Sequence, residues 1–142
     1  MPDPIDHQKV IRISLEALER EMPDRRLQSG GAATVAIGSI TYFLEADWVD
    51  SANSSEVTLI IGLITSFCLA VGSAFFSANR LSEMRFLYAE MLSKIEQGED
   101  WSVSARKATR DHGRARLGYQ GFFLAFGIGV FLGAMLVYSR LT

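Results

Sequence analysis

Charge is missing from two long stretches of this 142-residue sequence. No Asp, Glu, Lys or Arg falls between Glu56 and Arg80, or between Arg116 and Arg140. A shorter stretch, Leu27–Leu44, is equally uncharged. Cysteine is almost absent too. Cys68 stands alone inside an apolar run, which excludes an internal disulfide and a thiol-based metal site and suggests a small packing residue. Proline occurs only at positions 2, 4 and 23, so nothing later in the chain breaks a helix. The two histidines, His7 and His112, lie in separate charged segments, which excludes a haem held by two histidines inside a membrane. There is no HExxH, phosphate loop, GxSxG or Cys/His ligand spacing. The glycines at 127 and 129 lie inside an apolar run and carry no phosphate-binding meaning. Enzyme activity, a cofactor and a metal are therefore not expected. No basic run with interleaved aromatics exists, so no nucleic acid is expected as a partner.

What is present points to a membrane. Residues 117–139 form an uncharged helix of about 34 Å, enough to cross a bilayer core. Gly121, Ala125, Gly129 and Gly133 step by four along one face of it. Residues 57–79 form a second span with its own small-residue seam, Gly62, Ser66, Ala70, Ser73 and Ser77. Such seams let backbones approach closely in lipid, where packing rather than water exclusion drives association. The seam of the third span is expected to face another copy of the chain. The first span, residues 27–46, is the weakest, being rich in Gly, Ala, Ser and Thr. Tyr42 and Trp48 sit where interfacial aromatics belong.

The rest reads as helix outside the bilayer. Residues 1–26 make an amphipathic helix, with Asp3 and Pro4 suited to its start and a stripe of Ile11, Leu15, Leu18 and Met22. Pro23 is expected to end or kink it. Residues 80–116 make a helical hairpin turning at Gly98, Glu99 and Asp100. Leu81, Met84, Tyr88, Met91 and Ile95 continue the second span as one helix to about Gln97. Gly113 and Gly118 weaken the returning helix and favour a bend near the membrane. The arms carry opposite charge, three bases and five acids in 79–100 against five bases and one acid in 101–116. Antiparallel folding predicts Glu90 beside Lys107 or Arg110, and Glu83 beside Arg114 or Arg116.

The fold class expected is an all-α membrane protein: an N-terminal amphipathic helix, three transmembrane helices, and a cytoplasmic antiparallel hairpin joining the second and third spans. Bases collect in the N-terminal segment and the hairpin, and the loop 47–56 is acidic. That asymmetry predicts a cytoplasmic N-terminus, an external loop and an external tail at 140–142, with Arg140 as a mild exception. No cleavable leader is expected, because the first apolar run follows a long charged segment.

Two residue sets are candidate functional sites. Thr34, Gly38, Thr41 and Glu45 form a polar stripe on the first span. In an oligomer it lines a water path, with Glu45 as an acidic ring at the outer mouth; equally, the small polar residues serve tight packing and Glu45 merely ends the span. Arg106, Lys107, Arg110 and Arg114 form a basic ladder for anionic headgroups, or for an anionic cytoplasmic ligand or protein. The leading function is a homo-oligomeric channel or pore, since three spans are too few to enclose a path alone. The layout resembles that of small bacterial effectors acting at the inner membrane in phage defence, which implies an inner-membrane location and control from the cytoplasmic side. The alternatives are an accessory or assembly subunit of a larger membrane complex, and an anchor docking a soluble partner through the hairpin.

Overall fold

The computed structural model describes residues 6–46 and 51–141. The expected start at Asp3 and Pro4, the interfacial Trp48 and the final Thr142 lie outside the described residues. Three helices follow one another: α1, His7–Glu45; α2, Ser54–Glu96; and α3, Ser102–Leu141. Among the described residues there is no strand. At 39, 43 and 40 residues, each helix is about 60 Å long, twice the thickness of a bilayer core. α2 and α3 are long and apolar enough to cross a membrane. α1 falls short of that composition.

Local chemistry sets the helix ends. The Asp6 side chain accepts from the Lys9 amide at 3.1 Å and caps α1. α2 opens on a reciprocal capping box: Asn53 Oδ1 accepts from the Glu56 amide, and Glu56 Oε2 accepts from the Asn53 amide. α2 closes where Gly98 takes φ +71°, so that its amide reaches Ile95 O and the Glu99 amide reaches Lys94 O. Asp100 accepts from the Ser102 amide at 2.8 Å and starts α3. The turn therefore lies where the sequence predicts it.

Both helices run unbroken through the residues expected to weaken them. Pro23 does not end its helix; α1 runs through it without interruption. A proline removes one backbone hydrogen bond and crowds the preceding turn, a local cost of about 3 kcal/mol. Packing on both sides offsets it. Below the proline, Ile11 packs with Leu87, Met91 and Ala108, while Leu18 and Met22 pack with Leu81, Met84 and Ala115. Beyond it, Ala32 and Ala36 are buried against α2 and α3 residues such as Ala70, Phe67 and Phe122. α3 likewise runs through Gly113 and Gly118.

Core chemistry changes along the bundle. The half that includes the hairpin is filled by Leu and Met. The uncharged half is filled by Ala and Phe, with α2 and α3 in close contact. Cys68 is exposed, on the outside of the bundle, so it packs no core within the chain.

Of the predicted charge pairs, Lys107 stands near enough to Glu90 to help hold its carboxyl down, but the direct contacts are made elsewhere. Glu83 binds Arg80 at 2.6 Å, and Glu90 binds Lys94 at 2.7 Å while accepting from Ser104 Oγ at 3.1 Å. Both acids choose a neighbour three or four residues away on α2, because the face of α3 toward α2 carries Ser104, Ala108, Asp111 and Ala115 rather than its bases. Arg85–Glu19 at 3.1 Å and Arg12–Glu96 at 3.8 Å tie α1 to α2.

These pairs make the hairpin tip sensitive to pH. The hydrogen bond from Lys94, then that from Ser104, holds the Glu90 carboxyl below its ordinary range. The same bond holds Lys94 above its own. A lowered folded pKa adds stability above the unfolded value and loses it as pH falls through the folded one. For Lys94 the contribution is present below the unfolded value and is lost as pH rises through the folded one. Thermal melts followed by circular dichroism should show a plateau near neutrality and a fall in Tm below the ordinary carboxylate range. Glu90→Gln should flatten the acid limb; an unaltered limb would assign it to other acids.

Candidate functional site

Thr34, Gly38, Thr41 and Glu45 all lie on the exposed side of α1, turned away from the chain's own core. The opposite side buries Ser29, Ala32 and Ala36. A Cβ built on Gly30, Gly31 or Gly38 would meet nothing within 4 Å, and the polar stripe is flanked by exposed Val35, Ile37 and Tyr42. Thr34 Oγ1 donates to Gly30 O at 3.0 Å, which satisfies its hydrogen inside the helix and leaves the oxygen able to accept. Glu45 is the last residue of α1, and no base stands in that turn. A carboxylate at the negative end of a helix dipole is disfavoured, so helix stability does not explain it.

The two small-residue seams meet each other inside the chain. A Cβ on Gly118 would lie 3.1 Å from Ser73 O and 3.2 Å from Ser77 N, both main-chain atoms of α2. Gly121 faces Ser73, Gly129 faces the Phe67 ring, Gly133 faces Leu63 and Gly62 faces Leu132. Ser66, Ala70 and Ser77 are buried, and Ala125 packs beside Ala70 and Phe122. Ser77 Oγ donates to Ala115 O at 2.9 Å, pinning α2 to α3. The seam of the third span thus serves α2 of the same chain, and the expectation that it faces another copy is corrected. Spacing specifies a close-packing face; the short turn at 97–101 brings α2 to it first.

The basic ladder stands on the outer surface of α3. Arg106, Lys107 and Arg110 are exposed and, with Val103, line a shallow groove of about 380 Å³. Arg114 is half-exposed and 3.8 Å from Asp111. That acid escaped the sequence reading. It is 1% exposed, and neither carboxylate oxygen accepts a hydrogen bond among the described residues. Arg80 approaches only to 3.9 Å. A buried charge is costly unless paired and hydrogen-bonded, so Asp111 is a strained point in the interior. A signal existed: Ser104, Ala108, Asp111, Ala115, Gly118 and Phe122 step by four and three along one face, placing the acid among small buried residues.

At the far end of the bundle, Arg140 grips Glu56 with both ends of its guanidinium, Nε to Oε1 at 2.7 Å and Nη2 to Oε2 at 2.9 Å. His7 lies against Trp101 with ring centroids 5.3 Å apart and the rings tilted by 52°, while His112 is exposed on α3. Among the described residues no three His, Cys, Asp or Glu side chains gather as a metal site would need. Compared with protein families, with curated proteins and with solved structures, the chain matches none.

Proposed function

We propose that the chain is a homo-oligomeric membrane channel, with α1 lining the path and the helical hairpin forming a cytoplasmic collar. One observation carries the reading. The polar, small face of α1 points out of the chain, while α2 and α3 use their seams on each other. A helix too polar to face lipid on all sides needs protein or water along that face. Copies arranged with these faces inward supply both. Thr34, Gly38 and Thr41 then meet water, and Glu45, exposed at the helix end, repeats once per subunit as an acidic ring. In this reading α1 is a third span, the N-terminus is cytoplasmic, the C-terminus is external and the membrane is a bacterial inner membrane. The basic ladder climbs from about 4 to about 16 Å above the start of the uncharged run at Leu117, at 1.5 Å per residue. Arg106 and Arg110 therefore stand clear of the headgroups and offer a surface to an anionic cytoplasmic ligand or protein that gates the channel.

Reconstitution in planar bilayers with asymmetric salt tests this. Wild type is expected to conduct with cation preference, and Glu45→Gln to shift the reversal potential toward zero with mass in mild detergent unchanged. A discrete oligomer that never conducts would defeat the channel. A monomer would point instead to an accessory subunit or to an anchor.

A further inference from the structure

A cleft of about 380 Å³ lies between α1 and α3, over α2. Its floor is Ser77 and Leu81 of α2. Its walls are Arg25 from α1 and His112, Arg116 and Tyr119 from α3. Arg116 is the last charged residue before the uncharged run of α3, and Arg25 stands just before that of α1. The cleft therefore opens at the level where headgroups meet the hydrocarbon core, given the reading that the uncharged runs lie in the bilayer.

The two arginines differ in how far they are committed. Arg25 is fixed: its Nε donates to Glu21 at 2.8 Å, its Nη2 contacts the same carboxylate, and its guanidinium lies 3.2 Å over the Tyr119 ring. Phe123 braces that ring edge-on at 4.6 Å. Arg116 is exposed and makes no ion pair among the described residues; the imidazole of His112 and the hydroxyl of Tyr119 have no hydrogen-bond partner there either. Arg25 and Arg116 against Glu21 leave one net positive charge in a cleft with free donors. Toward the hydrocarbon side of α3, Phe123, packed on Tyr119, is 52% exposed and gives an apolar surface below the cleft.

We infer that this cleft binds the headgroup phosphate of one anionic phospholipid, with Arg116, His112 and Tyr119 donating to the phosphate and an acyl chain lying along Phe123. One net charge matches one phosphodiester, and the charge and the apolar surface stand in the order a phospholipid presents them. The assignment differs from the basic ladder, whose arginines lie on the outer surface of α3.

Lipid retention tests it. Full-length protein is reconstituted in vesicles of phosphatidylglycerol and phosphatidylethanolamine, extracted in mild detergent, and its bound lipid is counted by native mass spectrometry. Phosphatidylglycerol should remain at one per chain. Arg116→Gln should weaken its retention about tenfold, the equivalent of 1.4 kcal/mol. Tyr119→Phe, which keeps the ring under Arg25, should weaken it in the same direction. Arg106→Gln with Arg110→Gln should change nothing. Equal retention of phosphatidylethanolamine, or retention untouched by Arg116→Gln, would overturn the site. So would displacement of the lipid by 10 mM inorganic phosphate, which would make the ligand a free anion. Protein stripped from the vesicles by alkaline carbonate would overturn the membrane reading as well; protein that stays embedded yet shows no lipid preference overturns the site alone.

Discussion

Gly118→Leu should lower the stability of the detergent-solubilised protein by about 3 kcal/mol or more, at or beyond the upper end of overpacking costs. The same change at Gly127 should be neutral or raise it by up to about 1 kcal/mol, the difference in helix propensity between the two residues. The chemistry of the two substitutions is identical, so only the surroundings differ. At Gly118 the first added carbon already lies 3.1 and 3.2 Å from main-chain atoms of Ser73 and Ser77. A backbone cannot swing aside as a side chain can, and three further carbons have nowhere to go. α2 and α3 must part, which also pulls Ser77 Oγ from Ala115 O. At Gly127 nothing lies within 4 Å. Gly129→Leu is intermediate, at about 1–3 kcal/mol, because the group it strikes is the Phe67 ring, which can turn. Unfolding in mixed micelles, followed by loss of helicity, ranks the three. If Gly118→Leu and Gly127→Leu fall together, the helices are not packed through this seam.

That ordering shows what periodicity does and does not reveal. The four-residue spacing of Gly121, Ala125, Gly129 and Gly133 identifies a face for close contact, and that face is in contact. Spacing carries no label for the partner, and the partner is α2 of the same chain. The hairpin turn was legible because its residues are specific: Gly98 adopts a positive φ and Asp100 caps the next helix. The run of α1 through Pro23 was not legible, since a local rule against proline was outweighed by contacts with residues sixty or more positions away. The charge pairs misled for a related reason. Opposite net charge on two arms says that they attract on average, yet Glu83 and Glu90 were claimed by bases on their own helix. Asp111 was overlooked because it was counted as one acid among five bases rather than read by its place on a stripe of small residues. The stripe of Thr34, Gly38, Thr41 and Glu45 is legible in the sequence only as a polar spacing; its exposure follows from α1 burying Ser29, Ala32 and Ala36 on the opposite side.

Arg140→Met should cost about 3–5 kcal/mol, and adding Glu56→Gln should restore part of that loss. The sign of the second step follows from burial. The Glu56 side chain is 7% exposed and that of Arg140 is 34% exposed. Removing the arginine strands a carboxylate that water cannot reach. Removing the carboxylate frees a guanidinium that water can still hydrate, so Glu56→Gln alone should cost only about 1–2 kcal/mol. Glutamine at that position keeps the reciprocal cap with Asn53 while deleting the charge, so the change does not unravel the start of α2. The pair is also well placed against the backbone: Glu56 lies in the first turn of α2 and Arg140 in the last turn of α3, each at the helix end that favours its sign. The measurement is a double-mutant cycle by unfolding in mixed micelles. A double variant no more stable than Arg140→Met would show that the arginine acts by packing its stem against α2 rather than by its charge.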